Sequence, residues 1–225
     1  MSFKKKLSSP LRVRPQPILT ITKSELTRTK ILNSALDFLW SNPFRDMTVS
    51  SLMAATGVSR SAFYQYFNDV HVVMKALLDI SQEEIFAVCN PWLKGVGDPV
   101  ALLSETLTGL VQLCYDRGPI FRAVADAATT DRRFEEVWRR FLSGFDDAAC
   151  ARIKADQEQG LIPKFDAHSV AIALNRLDTY MIIQAFGQHP RSKPETVRDA
   201  LARIWIATLY GSNWIGSRAS DLIRT

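Results

Sequence analysis

Cysteine is scarce in this chain, three among 225 residues. Cys89, Cys114 and Cys150 are odd in number, widely spaced, and form no CxxC pair. That pattern argues against a disulfide framework and against a zinc site. Each lies in an apolar, helix-patterned stretch and is expected to fill core space as a small hydrophobe. Histidine is equally scarce: His71, His168 and His189 are far apart and lie near expected helix starts or loops. HExxH, GxGxxG, a P-loop and a nucleophile elbow are all missing. Hence no metal, no cofactor and no enzymatic activity is expected. The adjacent acids Asp146-Asp147 and Glu135-Glu136 point in different directions on a helix and read as solvated faces. No apolar run approaches the ~20 residues that span a bilayer. The N-terminal stretch lacks the apolar segment of a secretory leader. A cytoplasmic protein, with no membrane partner, is the default expectation. Period-2 alternation is missing too, so no strand is expected.

What remains is a helical, moderately basic chain. Its hydrophobic content of 47% is ample for a core. The net charge of +5 is modest. Its location is more informative: Lys4, Lys5, Lys6, Arg12, Arg14, Lys23, Arg28 and Lys30 face a single acid, Glu25. Residues 1–23 read as a basic disordered arm of the phosphate-seeking kind, because Pro10, Pro15 and Pro17 break any helix.

Helix-period apolar sets then recur to the C-terminus. The first runs from a Ser24 cap to Asn42-Pro43, with Ile31, Ala35 and Phe38 on one face. Thr48 caps a short helix that stops at Gly57, and Ser59 caps another over Arg60–Tyr66. Further helices are expected over 69–92, 99–116, 119–128, 131–159, 167–187 and 194–215. Gly118-Pro119 serves as the start of one of them, and the turn-rich stretch Pro91–Pro99 as a boundary. The fold class is therefore all-α with about nine helices. A three-helix helix-turn-helix domain over 24–70 precedes a larger helical ligand-binding and dimerisation domain over 71–225.

The strongest local signal is Thr48-Val-Ser-Ser-Leu-Met-Ala-Ala-Thr-Gly-Val-Ser-Arg-Ser-Ala-Phe-Tyr-Gln-Tyr-Phe67. Two short helices joined at a glycine must cross steeply. Leu52, Val58, Phe63 and Phe67 are spaced to form a hydrophobic wedge. Packing them inward turns Arg60, Ser61, Tyr64 and Gln65 outward, in a shape that fits the major groove. Arg60 suits guanine or phosphate, and Gln65 suits adenine or phosphate. Ser59, Ser61, Tyr64 and Tyr66 offer hydroxyls to phosphate oxygens.

The run Gly57-Val-Ser-Arg-Ser-Ala-Phe-Tyr-Gln-Tyr-Phe67, within Thr29–Val73, resembles the TetR family of bacterial repressors. The resemblance implies a homodimer whose two recognition helices read a palindromic operator on double-stranded DNA. Three positions depart from the family pattern. Met53 replaces a small alanine, Ala62 a polar residue, and Val70 a lysine that grips phosphate. His71, Lys75 or the arm is expected to compensate for that lysine. The DNA-facing set is thus Thr48, Ser59, Arg60, Ser61, Ala62, Tyr64, Gln65, Tyr66 and His71.

In the larger domain, Val170–Phe186 is apolar nearly all round and needs partners on several sides. With the last helix it is expected to form a two-fold interface between copies of the chain. Asn175, Asp178 and Thr179 make a polar cluster at i, i+3, i+4 on that helix. They either orient a ligand or bond one another, Arg203 or the backbone. Trp138, Phe141 and Phe145 form a stripe; with Tyr115, Phe121 and Trp205 they supply apolar walls. The residues Trp138, Ala173-Leu-Asn-Arg-Leu-Asp178 and Ile204-Trp-Ile-Ala-Thr-Leu-Tyr-Gly211 resemble the ethionamide-resistance-repressor subgroup. That resemblance implies a channel for an elongated hydrophobic effector, with Asn175 as its polar contact. Asp178 departs from it, standing where a second asparagine is usual. The expected function is a repressor released from its operator by a small apolar effector. The alternative is a ligand-independent dimeric regulator or activator.

Overall fold

Ile31, Leu32, Ala35 and Leu39 recur at helical spacing and are all buried. They form the inner face of α1 (Lys23–Ser41). In this computed structural model residues 23–211 are described. The expected arm, up to residue 22, and the expected last turn at 212–215 lie outside them. After α1 a 3-10 turn, Phe44–Asp46, leads to α2 (Val49–Thr56) and α3 (Arg60–Phe63). Four long helices and one of intermediate length follow: α4 (Val70–Lys94), α5 (Pro99–Ala128), α6 (Arg132–Glu158), α7 (Ala167–Phe186) and α8 (Pro194–Tyr210). All described secondary structure is helical, as the missing alternation implies.

Helix starts follow the capping chemistry of the sequence. Thr48 Oγ1 accepts from the Ser51 amide, and Ser51 Oγ accepts from the Thr48 amide, closing a capping box at 3.0 Å each way. Asp69, Asp98, Asp131 and Asp166 accept from first-turn amides of α4, α5, α6 and α7. Each cap is worth about 1 kcal/mol. Gly57 takes φ 66°, the left-handed conformation that only glycine adopts without strain, and its N–H closes α2 on the Met53 carbonyl.

One expected break is not a break. Residues 99–128 form one helix, not two. Pro119 cannot donate to the carbonyl four residues earlier, Tyr115. Arg191, from the loop between α7 and α8, donates to that carbonyl instead, at 2.9 Å. Gly118 is needed for packing, since a Cβ there would lie 2.2 Å from the Phe186 carbonyl oxygen. The pair therefore marks a close approach of α5 to the end of α7. Pro91 likewise lies inside α4. The 91–99 stretch is tied down by Arg152 of α6, which donates to the carbonyls of Trp92 and Gly95 at 2.7 and 3.0 Å. One continuous apolar cluster runs from Ile31 and Phe63 through Met74 and Leu107 to Leu201.

Candidate ligand cavity and nucleic-acid interface

The helix-turn-helix turns its wedge inward. Leu52 and Phe63 are fully buried and Phe67 nearly so, which is worth roughly 2–3 kcal/mol for each large side chain. Val58 is half-buried. Helix α3 proper spans four residues, shorter than expected from the sequence, because Gln65 and Tyr66 donate to Ala62 and Phe63 in tighter i→i+3 turns. Ser59 caps it through the Ala62 amide at 3.2 Å, and its hydroxyl lies 3.0 Å from that of Ser61. Arg60, Ser61, Tyr64 and Gln65 are exposed, Tyr64 at 48%. The Arg60 guanidinium lies 5.9 Å from the Tyr64 ring centroid, so the two side chains form one protruding unit. Thr48 is exposed but spends its hydroxyl on the capping box. Ala62 and Tyr66 are half-buried, and Tyr66 packs on the core.

His71 sits elsewhere. Its Nε2 lies 3.1 Å from Asp131 and 2.6 Å from Arg133 Nη2, and its ring stacks on Phe134 and meets Phe44 edge-on. Arg133 holds the Asp131 carboxyl down at about 2. Asp69, His71, Asp131 and Arg133 thus bind the start of α4 to the start of α6. Lys75 is paired with Asp79. A second joint lies at the far end of α1. Arg122 donates to the Leu39 carbonyl at 3.0 Å, and the Arg191 guanidinium lies between the rings of Trp40 and Tyr115, at 4.8 and 3.6 Å.

Within the larger helices lies an apolar cavity of about 100 Å³. Phe121, Trp138, Phe141, Phe145, Asn175, Asp178, Thr179 and Trp205 all line it. Tyr115 does not. It packs edge-on against Phe186 under Arg191, on the side of α5 that holds the interhelix loop. The stripe on α6 forms one wall: Trp138 stacks on Phe141 at 5.2 Å with 9° between planes, and Phe141 meets Phe121 and Phe145. Sequence reasoning missed the opposite wall, Ile85, Cys89 and Trp92 of α4 with Leu103, Leu107 and Cys114 of α5. Their only signal was helical period, which core residues share.

The polar lining has specific partners. Asp178 is buried, and its Oδ1 accepts from Trp205 Nε1 at 2.8 Å. Burial pushes its carboxyl up to about 7, against the opposing pull of the Trp205 hydrogen bond. Asn175 Nδ2 donates to Asp146 at 3.1 Å, and Arg176 grips the same carboxylate at 3.0 and 2.7 Å. The expectation that Asp146 faces solvent is corrected: Asp146 is buried, and only its neighbour Asp147 is exposed. Arg176 supplies the counter-charge that allows it. Thr179 back-bonds to the Asn175 carbonyl. Behind Trp92, its indole donates to Tyr210, which donates to Asp156. Asp156 pairs with Arg152 at 2.9 Å as an ion pair whose Nε–H is not aligned for a hydrogen bond. Cys89 and Cys114 are free thiols, and burial pushes Cys89 up to about 12. Among the described residues no group of His, Cys, Asp or Glu is arranged to hold a metal, and no helix is long and apolar enough to cross a membrane.

Residues 103–211, which contain most of this cavity, match the family described as the C-terminal domain of the transcriptional regulator EthR. The HTH-type transcriptional regulator EthR of Mycobacterium tuberculosis is 27% identical over 187 residues, covering 81% of this chain and 87% of the relative. In overall fold the chain superposes on Salmonella enterica GusR with a TM-score of 0.69 at 19% identity, covering 84% of this chain and 98% of that one. The TetR-family transcriptional regulator PfmR of Thermus thermophilus gives 0.63 at 18% identity, covering 77% and 96%. With its all-helical architecture, which is that of the TetR-family structures it superposes on, and with its matched C-terminal domain, the chain is related over most of its length to the transcriptional regulator EthR.

Proposed function

We propose that this protein is a transcriptional regulator of the TetR family, a homodimeric repressor that holds a palindromic operator and leaves it when a small apolar effector fills the cavity. One observation supports this above others: α4 both lines the cavity and begins at the DNA-facing head. A 24–70 head and a 71–225 effector and dimerisation body are the working division. The DNA contacts fall to Arg60, Ser61, Tyr64 and Gln65, with Ser59 and the amides it leaves free. His71 and Thr48 act behind them, the first as a joint and the second as a cap. Asn175, Asp178 and Thr179 orient the effector among aromatic walls. Release requires that the effector favour the dimer geometry that misses the operator.

A gel shift with duplexes from the chain's own promoter region tests the DNA half. Arg60→Ala is expected to weaken binding about ten-fold or more and to flatten its salt dependence. Binding that is indifferent to Arg60 overturns the assignment. Operator binding unchanged by every ligand shown to occupy the cavity favours the alternative, a regulator independent of effector.

A further inference from the structure

Among the described residues, the acidic group inside the cavity has no partner of opposite sign. Asp178 is buried and lines it, yet no Lys, Arg or His is among the lining residues. The neighbouring arginines are committed elsewhere, Arg176 to Asp146 and Arg152 to Asp156. Among the described residues the Asp178 carboxyl has a single hydrogen bond, to the Trp205 indole. A buried carboxylate with one neutral donor is poorly solvated and gains most from a cation placed against it. Aromatic rings line the same cavity: Trp205, whose N–H edge meets Asp178, and Trp92, packed edge-on to Trp205 at 5.5 Å. Ring faces attract cations, most strongly where water is excluded. A neutral polar function would suit an amide at this position; an anionic one would meet the carboxylate head-on.

Resting on the reading of this cavity as the effector site, we propose that the effector carries a basic nitrogen, protonated in water, that pairs with Asp178. The cavity thereby selects an ammonium-bearing apolar molecule over a neutral or acidic one of the same shape. The pairing carries a pH signature. The groups facing Asp178 are the thiols of Cys89 on α4 and Cys114 on α5, the Trp205 indole on α8 and, one residue removed through Asn175, the Asp146–Arg176 pair. Burial holds both thiols protonated and neutral. Asp178 is therefore the group that changes charge near neutrality, about pH 7 in the empty cavity. Below that value an amine must displace a proton to bind, and its affinity falls by up to about ten-fold per pH unit. Above it, affinity is flat.

Isothermal titration of the full-length protein with 2-phenylethylamine, 2-phenylethanol and phenylacetate tests this. The three share a ring and a chain length and differ in charge. The amine is expected to bind about ten-fold tighter than the alcohol at pH 8, with phenylacetate weakest. Asp178→Asn is expected to bring the amine down to the alcohol, so that their roughly ten-fold ratio falls to about one. Should that variant fail to fold, the wild-type protein answers alone: amine affinity must drop from pH 8 to pH 5.5 while alcohol affinity stays level. Equal binding of amine and alcohol, a pH-independent amine, or binding of none of the three at millimolar concentration overturns the proposal. Those outcomes leave the effector-released repressor standing wherever a neutral cavity ligand still lowers operator affinity. Tight amine binding without any loss of operator affinity overturns that reading instead and keeps the selectivity.

Discussion

A carboxyl group deep in an apolar wall is stable mainly in its neutral form, and Asp178 makes the stability of the fold depend on pH. Its folded-state value near 7 lies above the 3.8 of an exposed aspartate. The folded protein therefore holds the proton more tightly than the unfolded chain does. Stability from this group is present in full below about pH 4 and is lost as pH rises to about 7. The difference amounts to roughly 4 kcal/mol. Chemical denaturation from pH 4 to pH 8 is expected to show the wild type losing that much relative to Asp178→Asn, with a plateau above about 7. A constant gap between the two proteins would show that the carboxyl is hydrated. At this scale the sequence is informative where a residue type is out of place. Asn175, Asp178 and Thr179 stand out on an apolar helix, and all three reach the cavity. Asp146 is not legible, because nothing in its neighbourhood along the chain says that Arg176, thirty residues later, neutralises it.

Helices are legible from their caps and periods, and least legible where a residue serves a distant element. Gly118-Pro119 has the composition of a break. It is instead a contact point, with Gly118 against the backbone of Phe186 and the orphaned Tyr115 carbonyl bound by Arg191. Tyr115 reads as a cavity residue on equally local grounds, and the same loop draws its ring away. The energetic role of that loop can be measured. Gly118→Ala pushes a methyl group into the Phe186 backbone and is expected to destabilise by about 2–3 kcal/mol, in spite of alanine's better helix propensity. Arg191→Ala leaves a carbonyl unpaired and removes the cation between Trp40 and Tyr115, for about 1–3 kcal/mol. Urea melts of both variants check these values. A Gly118→Ala protein as stable as the parent would mean that α5 and α7 stand further apart. The far wall of the cavity is hidden for a different reason. Ile85, Cys89 and Trp92 are spaced as any core stripe is spaced, and a void between stripes leaves no mark in either one.

For the molecule as a whole, α7 has two unlike sides. Ala171, Leu174, Asp178, Ile182 and Ala185 face the body of the protein, while Ala173, Arg176, Tyr180 and Gln184 are exposed. Tyr180 presents 67% of its surface to solvent in the single chain, a large aromatic on a flat face of small and polar residues. If that face joins two copies, Tyr180→Glu is expected to weaken dimerisation about ten-fold or more. Sedimentation velocity at micromolar concentration reads this directly, and a variant that sediments as the wild type does would move the interface elsewhere. The all-round apolarity that suggests the interface is a property of composition. Which residues on the outer side meet a partner is a property of the assembled pair, beyond what one helix can encode. The same holds for motion. Helix α4 has 25 residues, so it is a lever arm roughly 37 Å long at ~1.5 Å per residue. Cavity residues grip one end, and the helix-turn-helix precedes the other. Tilting it by about 5° swings the free end by about 3 Å, close to the ~3.4 Å rise between neighbouring base pairs. On the proposed reading, a guest of a few atoms needs only to wedge its end of the arm slightly to shift the helix-turn-helix by about one base-pair step.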